Sequence, residues 1–180
     1  GLYYVYDTIP GPLIRPSNPV EHREMLAASA RVSRLFIAYP PKFGDDENHG
    51  QSEVGARYYE AAAAGTVLLG KAPTVPSFAH DFPFGDAVAE PKADGSDVRH
   101  IVMDLLARPD ELRRQGVRNG VLALRRHDWA HRWQSMLESA GIPERPALRE
   151  RLRTLSELAD ATEKSPPDGW TVEDAVTRVL

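Results

Sequence analysis

The strongest constraint on this chain is a repeated exchange of short apolar runs for helical stretches, joined by short connections. Aromatic and β-branched residues at 2–6 read as a strand, stopped by Pro10 and Pro12, which cannot donate to a ladder. Residues 34–39 and 66–69 are nearly continuous apolar runs, the sign of strands covered on both faces. Between these runs lie two helical stretches. Residues 20–30 carry Glu21 and Glu24 near their start, where the helix dipole favours negative charge. Residues 53–64 contain four consecutive alanines and are followed by Gly65, the residue type that most readily takes the left-handed conformation closing a helix. Strand, helix, strand, helix, strand in that order predicts an α/β chain: a Rossmann-like parallel sheet with helices on both faces.

Beyond Pro73 the pattern loosens, and residues 73–84 read as irregular, with a weaker candidate strand at 86–89. Helices are predicted from Asp97 to Ala107, from Pro109 to Arg126 and from Asp128 to Gly141. Pro109 sits at a helix start, where its missing N–H costs nothing. Leu148, Leu152, Leu155 and Leu158 mark a further amphipathic helix, and a last short one is expected from Thr171. This divides the chain into a sheet-bearing domain over 1–140 and a helical C-terminal tail over 141–180.

Composition closes off several functions. The net charge of −4 speaks against a dedicated nucleic-acid binder, which would carry a large positive surplus. With no cysteine there are no disulfides, thiolate metal sites or cysteine nucleophiles. No apolar run approaches the roughly 20 residues that span a bilayer, so a cytoplasmic location is expected. The chain opens on Gly1 with a strand already under way, so it reads as a fragment of a longer protein.

The informative stretch is 50–69, a glycine-bearing loop that enters a helix and returns into a buried strand. A helix N-terminus offers unpaired N–H groups and a positive dipole end, which suit a phosphate. Gly55 and Ala56 lie at that entrance, and Lys42 and Arg57 flank it as cations for a diphosphate. Glu60 follows one to two turns inside. A single carboxylate there can accept from both vicinal hydroxyls of a ribose.

The run Tyr59-Glu60-Ala61-Ala62-Ala63-Ala64-Gly65-Thr66-Val67-Leu68-Leu69 resembles the nucleotide-sugar-binding, carboxyl-terminal half of glycosyltransferases with the GT-B fold, where it forms the tail of a Glu-x7-Glu motif. Leu105 to Arg113 and His127-Asp128-Trp129 with Arg132-Trp133 are similar to later parts of the same domain, so the resemblance covers about residues 1–140. It implies a nucleoside-diphosphate sugar as co-substrate, no other cofactor, no metal and transfer of a glycosyl group, of hexosyl type, to a sugar, lipid or small-molecule acceptor. It also implies an amino-terminal domain that supplies the acceptor site. The ribose role falls to Glu60. The first glutamate of the motif, near the donor sugar, belongs eight positions earlier, at Ser52, with Glu53 adjacent. Either Glu53 serves after a one-residue shift of the loop, as the catalytic carboxylate beside a donor-binding Ser52, or the first carboxylate is dispensed with.

Other readings stand beside these. Glu60 can be an ordinary solvent-facing glutamate, and Gly55 can serve helix–sheet packing alone. His127 and His131 have the four-residue spacing of a metal pair, but the neighbouring tryptophans favour packing. The arginines at 108–132 form a solvated face by default, with an anionic membrane surface as the functional alternative. The rival to a transferase is a non-catalytic nucleotide-binding or interaction module of the same fold. A flavodoxin-like or receiver-like domain is a second rival, although the acidic pair a receiver needs is not evident after the first strand.

Overall fold

A computed structural model describes residues 19–40 and 53–165. The strand expected at 2–6, the helix expected from Thr171, and both Lys42 and Ser52 lie outside the described residues.

Helix α1 (Pro19–Val32) leads into strand β1 (Leu35–Ala38). Helix α2 (Ala56–Ala63) precedes β2 (Val67–Gly70), and a short helix α3 (Pro76–Asp81) precedes β3 (Val88–Ala89). The strands form one parallel sheet in the order β1-β2-β3, with Leu35 opposite Val67 and Leu68 opposite Val88. Parallel neighbours require crossover connections: the helical stretch read before Gly65 supplies the one between β1 and β2, and α3 lies in the one between β2 and β3.

Alternate residues of each strand face opposite sides of the sheet. On one side, Phe36, Ala38 and Leu68 pack with Tyr58, Ala61 and Ala62 of α2 and with Phe78 and Phe82. On the other, Leu35, Val67 and Ala89 pack with Ile101, Leu105 and Leu106 of helix α4 (Val98–Ala107) and with Leu112. Both faces are therefore covered by helices, which is why the strand sequences are apolar throughout rather than alternating.

Helix α5 (Pro109–Leu122) is α-helical only to Leu122, and the rest of the helix expected to Arg126 is a π-helical turn, Ala123–His127, before Asp128 caps helix α6 (Trp129–Ser139) by accepting a hydrogen bond from the Ala130 N–H at 2.9 Å. Helix α7 (Pro146–Lys164) folds back on α5, α6 and the π-turn and buries Leu155 and Ala159. Helix α3 occupies a segment that read as irregular. Pro76 starts it, and Phe78 and Phe82, one helical turn apart, stack at 4.9 Å in the core.

Two glycines set the geometry at the ends of β2. Gly65, at φ 70°, closes α2: its N–H donates to the Ala62 carbonyl, and the Thr66 N–H donates to that of Ala61. Gly70 ends β2 at φ 149°, and a Cβ built there would lie 1.9 Å from the Ala38 carbonyl oxygen. Gly70→Ala should therefore cost about 3 kcal/mol or more, from both the backbone conformation and the overlap with a neighbouring strand. The midpoint shift in urea unfolding measures it, and a loss near zero would show that β1 and β2 do not approach this closely.

Candidate functional site

In open α/β sheets, ligands bind outside the carboxyl ends of the strands. Here the first residue beyond each strand end is polar or amphipathic: Tyr39 after β1, Lys71 after β2 and Glu90 after β3. Helix α2 begins at this same edge, because it carries the chain from the end of β1 back to the start of β2.

Tyr58, in the first turn of α2, fixes the helix to the edge. Its ring is fully buried between Phe78 at 5.5 Å and Phe82 at 6.5 Å, and its hydroxyl donates to the carbonyl oxygen of Lys71. Burial pushes the Tyr58 phenol well above its ordinary pKa, and the nearby Glu90 carboxylate and Tyr39 push it further. Glu90 is held in turn. One of its carboxylate oxygens accepts from the Ala72 N–H at 2.9 Å and the other from Lys71 Nζ at 2.5 Å.

The residues expected from the sequence fall around this arrangement. Gly55 is the N-cap of α2, with extended backbone at φ −65° and ψ 154° and no side-chain cap, and Ala56 and Arg57 form its first turn. Among the described residues, no side-chain hydrogen bond caps that turn. The helix starts at Ala56, three residues later than the alanine-rich pattern suggested, because Gly55 stays extended; Glu53 is consequently an exposed loop residue ahead of the cap. Glu60 lies one turn beyond the cap and is exposed. Tyr58, Ala61 and Ala62 turn the opposite face of the helix into the core. The structure thus brings Gly55, Ala56, Arg57 and Glu60 together along one short helix at the carboxyl edge.

The sequence reading missed Tyr39, Lys71 and Glu90. Their signal was positional: each is the first side chain after an apolar run, and parallel pairing sets such residues side by side.

A second cluster backs α2. The Tyr59 hydroxyl donates to Asp81 Oδ2 at 2.5 Å, and burial together with that carboxylate pushes the Tyr59 pKa up to about 12. The Arg132 guanidinium lies 5.2 Å from the Tyr59 ring centre and 5.4 Å from that of Trp129. The His127 ring packs 5.1 Å from both Tyr59 and Phe82. Burial lowers its pKa, the Asp81 carboxylate opposes this, and Arg132 and Arg126 add to it. His131 is engaged elsewhere, with Nε2 at 2.8 Å from the Leu124 carbonyl oxygen, and no group of three metal-ligating side chains occurs among the described residues.

A groove also lies away from this edge. A hollow of about 740 Å³ lies beside the amino end of β3, lined by Phe84, Val117, Val121 and several arginines of α5 and the π-turn. Part of its charge is spent internally: Arg118 pairs with Asp86 at 2.8 Å, and Arg125 with Asp160 at 2.9 Å and Glu163 at 2.8 Å. We assign the site by chemistry and topology rather than by volume. Among the described residues, no helix is long and apolar enough to cross a membrane.

Two outcomes test this geometry. Tyr58→Phe removes the donor to the Lys71 carbonyl and should cost about 1–2 kcal/mol in chemical denaturation; an unaffected midpoint would mean that this bond does not anchor α2. A buried neutral histidine gives stability that is complete above its unfolded pKa near 6.5 and is lost as the pH falls, since the unfolded chain takes up the proton first. Stability should therefore decline on acidification through the range below pH 6.5, and less steeply in His127→Phe. Parallel pH profiles of the two proteins would contradict the assignment.

The comparisons with known proteins are consistent with these observations. A protein family described as glycosyl transferase-like matches residues 11–138. No curated protein and no solved structure matches the chain.

Proposed function

The chain belongs to the glycosyl transferase-like family, and from that premise we propose that its carboxyl edge binds a nucleoside-diphosphate sugar and presents the glycosyl group for transfer. The observation that carries the reading is the pinning of the α2 N-terminus to the end of β2 by the Tyr58–Lys71 bond, with Glu60 one turn away. Open N–H groups at Gly55 to Arg57 take the diphosphate, and the dipole end stabilises the negative charge that grows there as the sugar leaves. Arg57 and Lys42 add positive charge, and Glu60 accepts the two ribose hydroxyls. Glu53, with Ser52 next to it in the sequence, serves the donor sugar.

In the transfer, the bond between the anomeric carbon and the diphosphate oxygen breaks with its electron pair passing to the diphosphate. A hydroxyl oxygen of the acceptor forms the new bond to that carbon, and its proton passes to a base. We place the acceptor and that base on a second domain facing the carboxyl edge, with a hexosyl unit as the transferred group. The reaction then depends on positioning and on stabilising the leaving group, and protein donors take the part a metal plays in other transferases.

Glu60→Gln preserves shape and helix propensity but weakens acceptance from the ribose. Because a hydrogen bond to a charged group contributes about 1.5–3 kcal/mol, nucleoside diphosphate affinity should fall about tenfold or more, with an unchanged melting temperature. Calorimetric titration of UDP and GDP into both proteins makes the comparison. Equal affinities in two folded proteins would return Glu60 to the role of a surface glutamate.

A further inference from the structure

We propose that the Lys71–Glu90 pair recognises the glycosyl unit of the donor and selects a neutral, hydroxyl-bearing sugar over an acidic one, an inference that rests on the donor-site reading above.

The pair stands at the ends of β2 and β3, where the open edge of the sheet receives ligands. It lies within a tyrosine side chain of the α2 N-terminus, because the Tyr58 hydroxyl reaches the Lys71 carbonyl and the Glu90 carboxylate acts on the Tyr58 phenol. A group joined to a diphosphate at that N-terminus is thereby brought to the strand ends.

Its chemistry is that of a diol receptor. The Glu90 carboxylate is fixed by two donors, the Ala72 N–H and Lys71 Nζ, yet a carboxylate has about four lone-pair sites and two remain for a ligand. Lys71 Nζ spends one N–H on Glu90 and keeps two. The side chains are 43% and 34% exposed, so neither is sealed off. Of two neighbouring sugar hydroxyls, one donates to Glu90 while the other accepts from Lys71. A neutral ion pair of this kind gives little attraction for a second phosphate, and the Glu90 charge repels a sugar carboxylate, which supplies discrimination by repulsion. Exposed ion pairs add little to stability. The backbone anchoring of Glu90 at Ala72 therefore serves geometry: it presets the carboxylate before the ligand arrives.

The test separates sugar recognition from nucleotide binding. Calorimetry on the 180-residue chain compares UDP with UDP-glucose and UDP-glucuronate, and GDP with GDP-mannose, for the unaltered protein, Glu90→Gln, Lys71→Met and Lys71→Arg. The expected result is that Glu90→Gln and Lys71→Met leave nucleoside diphosphate affinity within about twofold while reducing the ratio of nucleotide-hexose to nucleotide affinity by about tenfold. Lys71→Arg should retain most of the ratio, and Glu90→Gln should narrow the preference for glucose over glucuronate. An unchanged ratio in folded variants overturns the proposal. So does an equal fall for nucleotide and nucleotide sugar, which would assign the pair to the phosphates or to the local fold. If neither UDP nor GDP binds the unaltered chain, the donor-site reading itself fails, and this inference falls with it.

Discussion

The turn at Gly65 is the point on which the sheet and two helices depend. It lets α2 stop and β2 begin with one residue between Gly65 and the strand, and the Thr66 side chain reinforces it by donating to the Ala61 carbonyl at 3.0 Å. Helix α5 is fitted to this turn. The Asn119 side chain donates to the Thr66 carbonyl at 2.9 Å, and a Cβ on Gly116 would lie 2.3 Å from the Gly65 carbonyl oxygen. Three elements therefore meet with almost no side chain between their backbones. In so short a crossover, fixing one end of α2 fixes the other, so the turn at the amino edge of β2 also places the N-terminus of the helix at the opposite edge.

Four and three residues before that turn stand the alanines that make it workable. Ala61 and Ala62 are fully buried, and their small size brings α2 down onto the sheet, while Tyr58 reaches beyond them to the strand end. Small residues at one end of the buried face and a large aromatic at the other hold the helix at both ends of its contact with the sheet, and Phe78, Phe82 and Tyr59 pack into the same core.

Much of this was legible in the chain. The apolar runs gave β1 and β2, Gly65 the end of α2, Pro109 the start of α5 and Asp128 the cap of α6, because each signal is local and chemically specific. Helix α3 was hidden because six residues carry too little periodicity to stand out among prolines, and only Phe78 and Phe82 hinted at it. The π-turn at Ala123–His127 left no local mark, since it reflects packing of α5 and α7 rather than propensity. Gly55 to Arg57 and Glu60 could be found from a contiguous pattern. Lys71 and Glu90 leave only a positional signal, each being the first residue after its strand, and it takes the pairing of β2 with β3 to bring them together.

Helix α7 carries a consequence for where this domain can be cut. The matched family segment ends at residue 138, yet Leu155 and Ala159 beyond it are buried against α5 and the π-turn. The stretch shared with relatives is thus shorter than the body that packs together. An appended helix that covers apolar surface of α5 frees that surface from having to be polar. With α7 in place, an apolar residue such as Val121 can stand on α5 without meeting water, and a chain cut before Pro146 would bare the surface that Leu155 and Ala159 now cover.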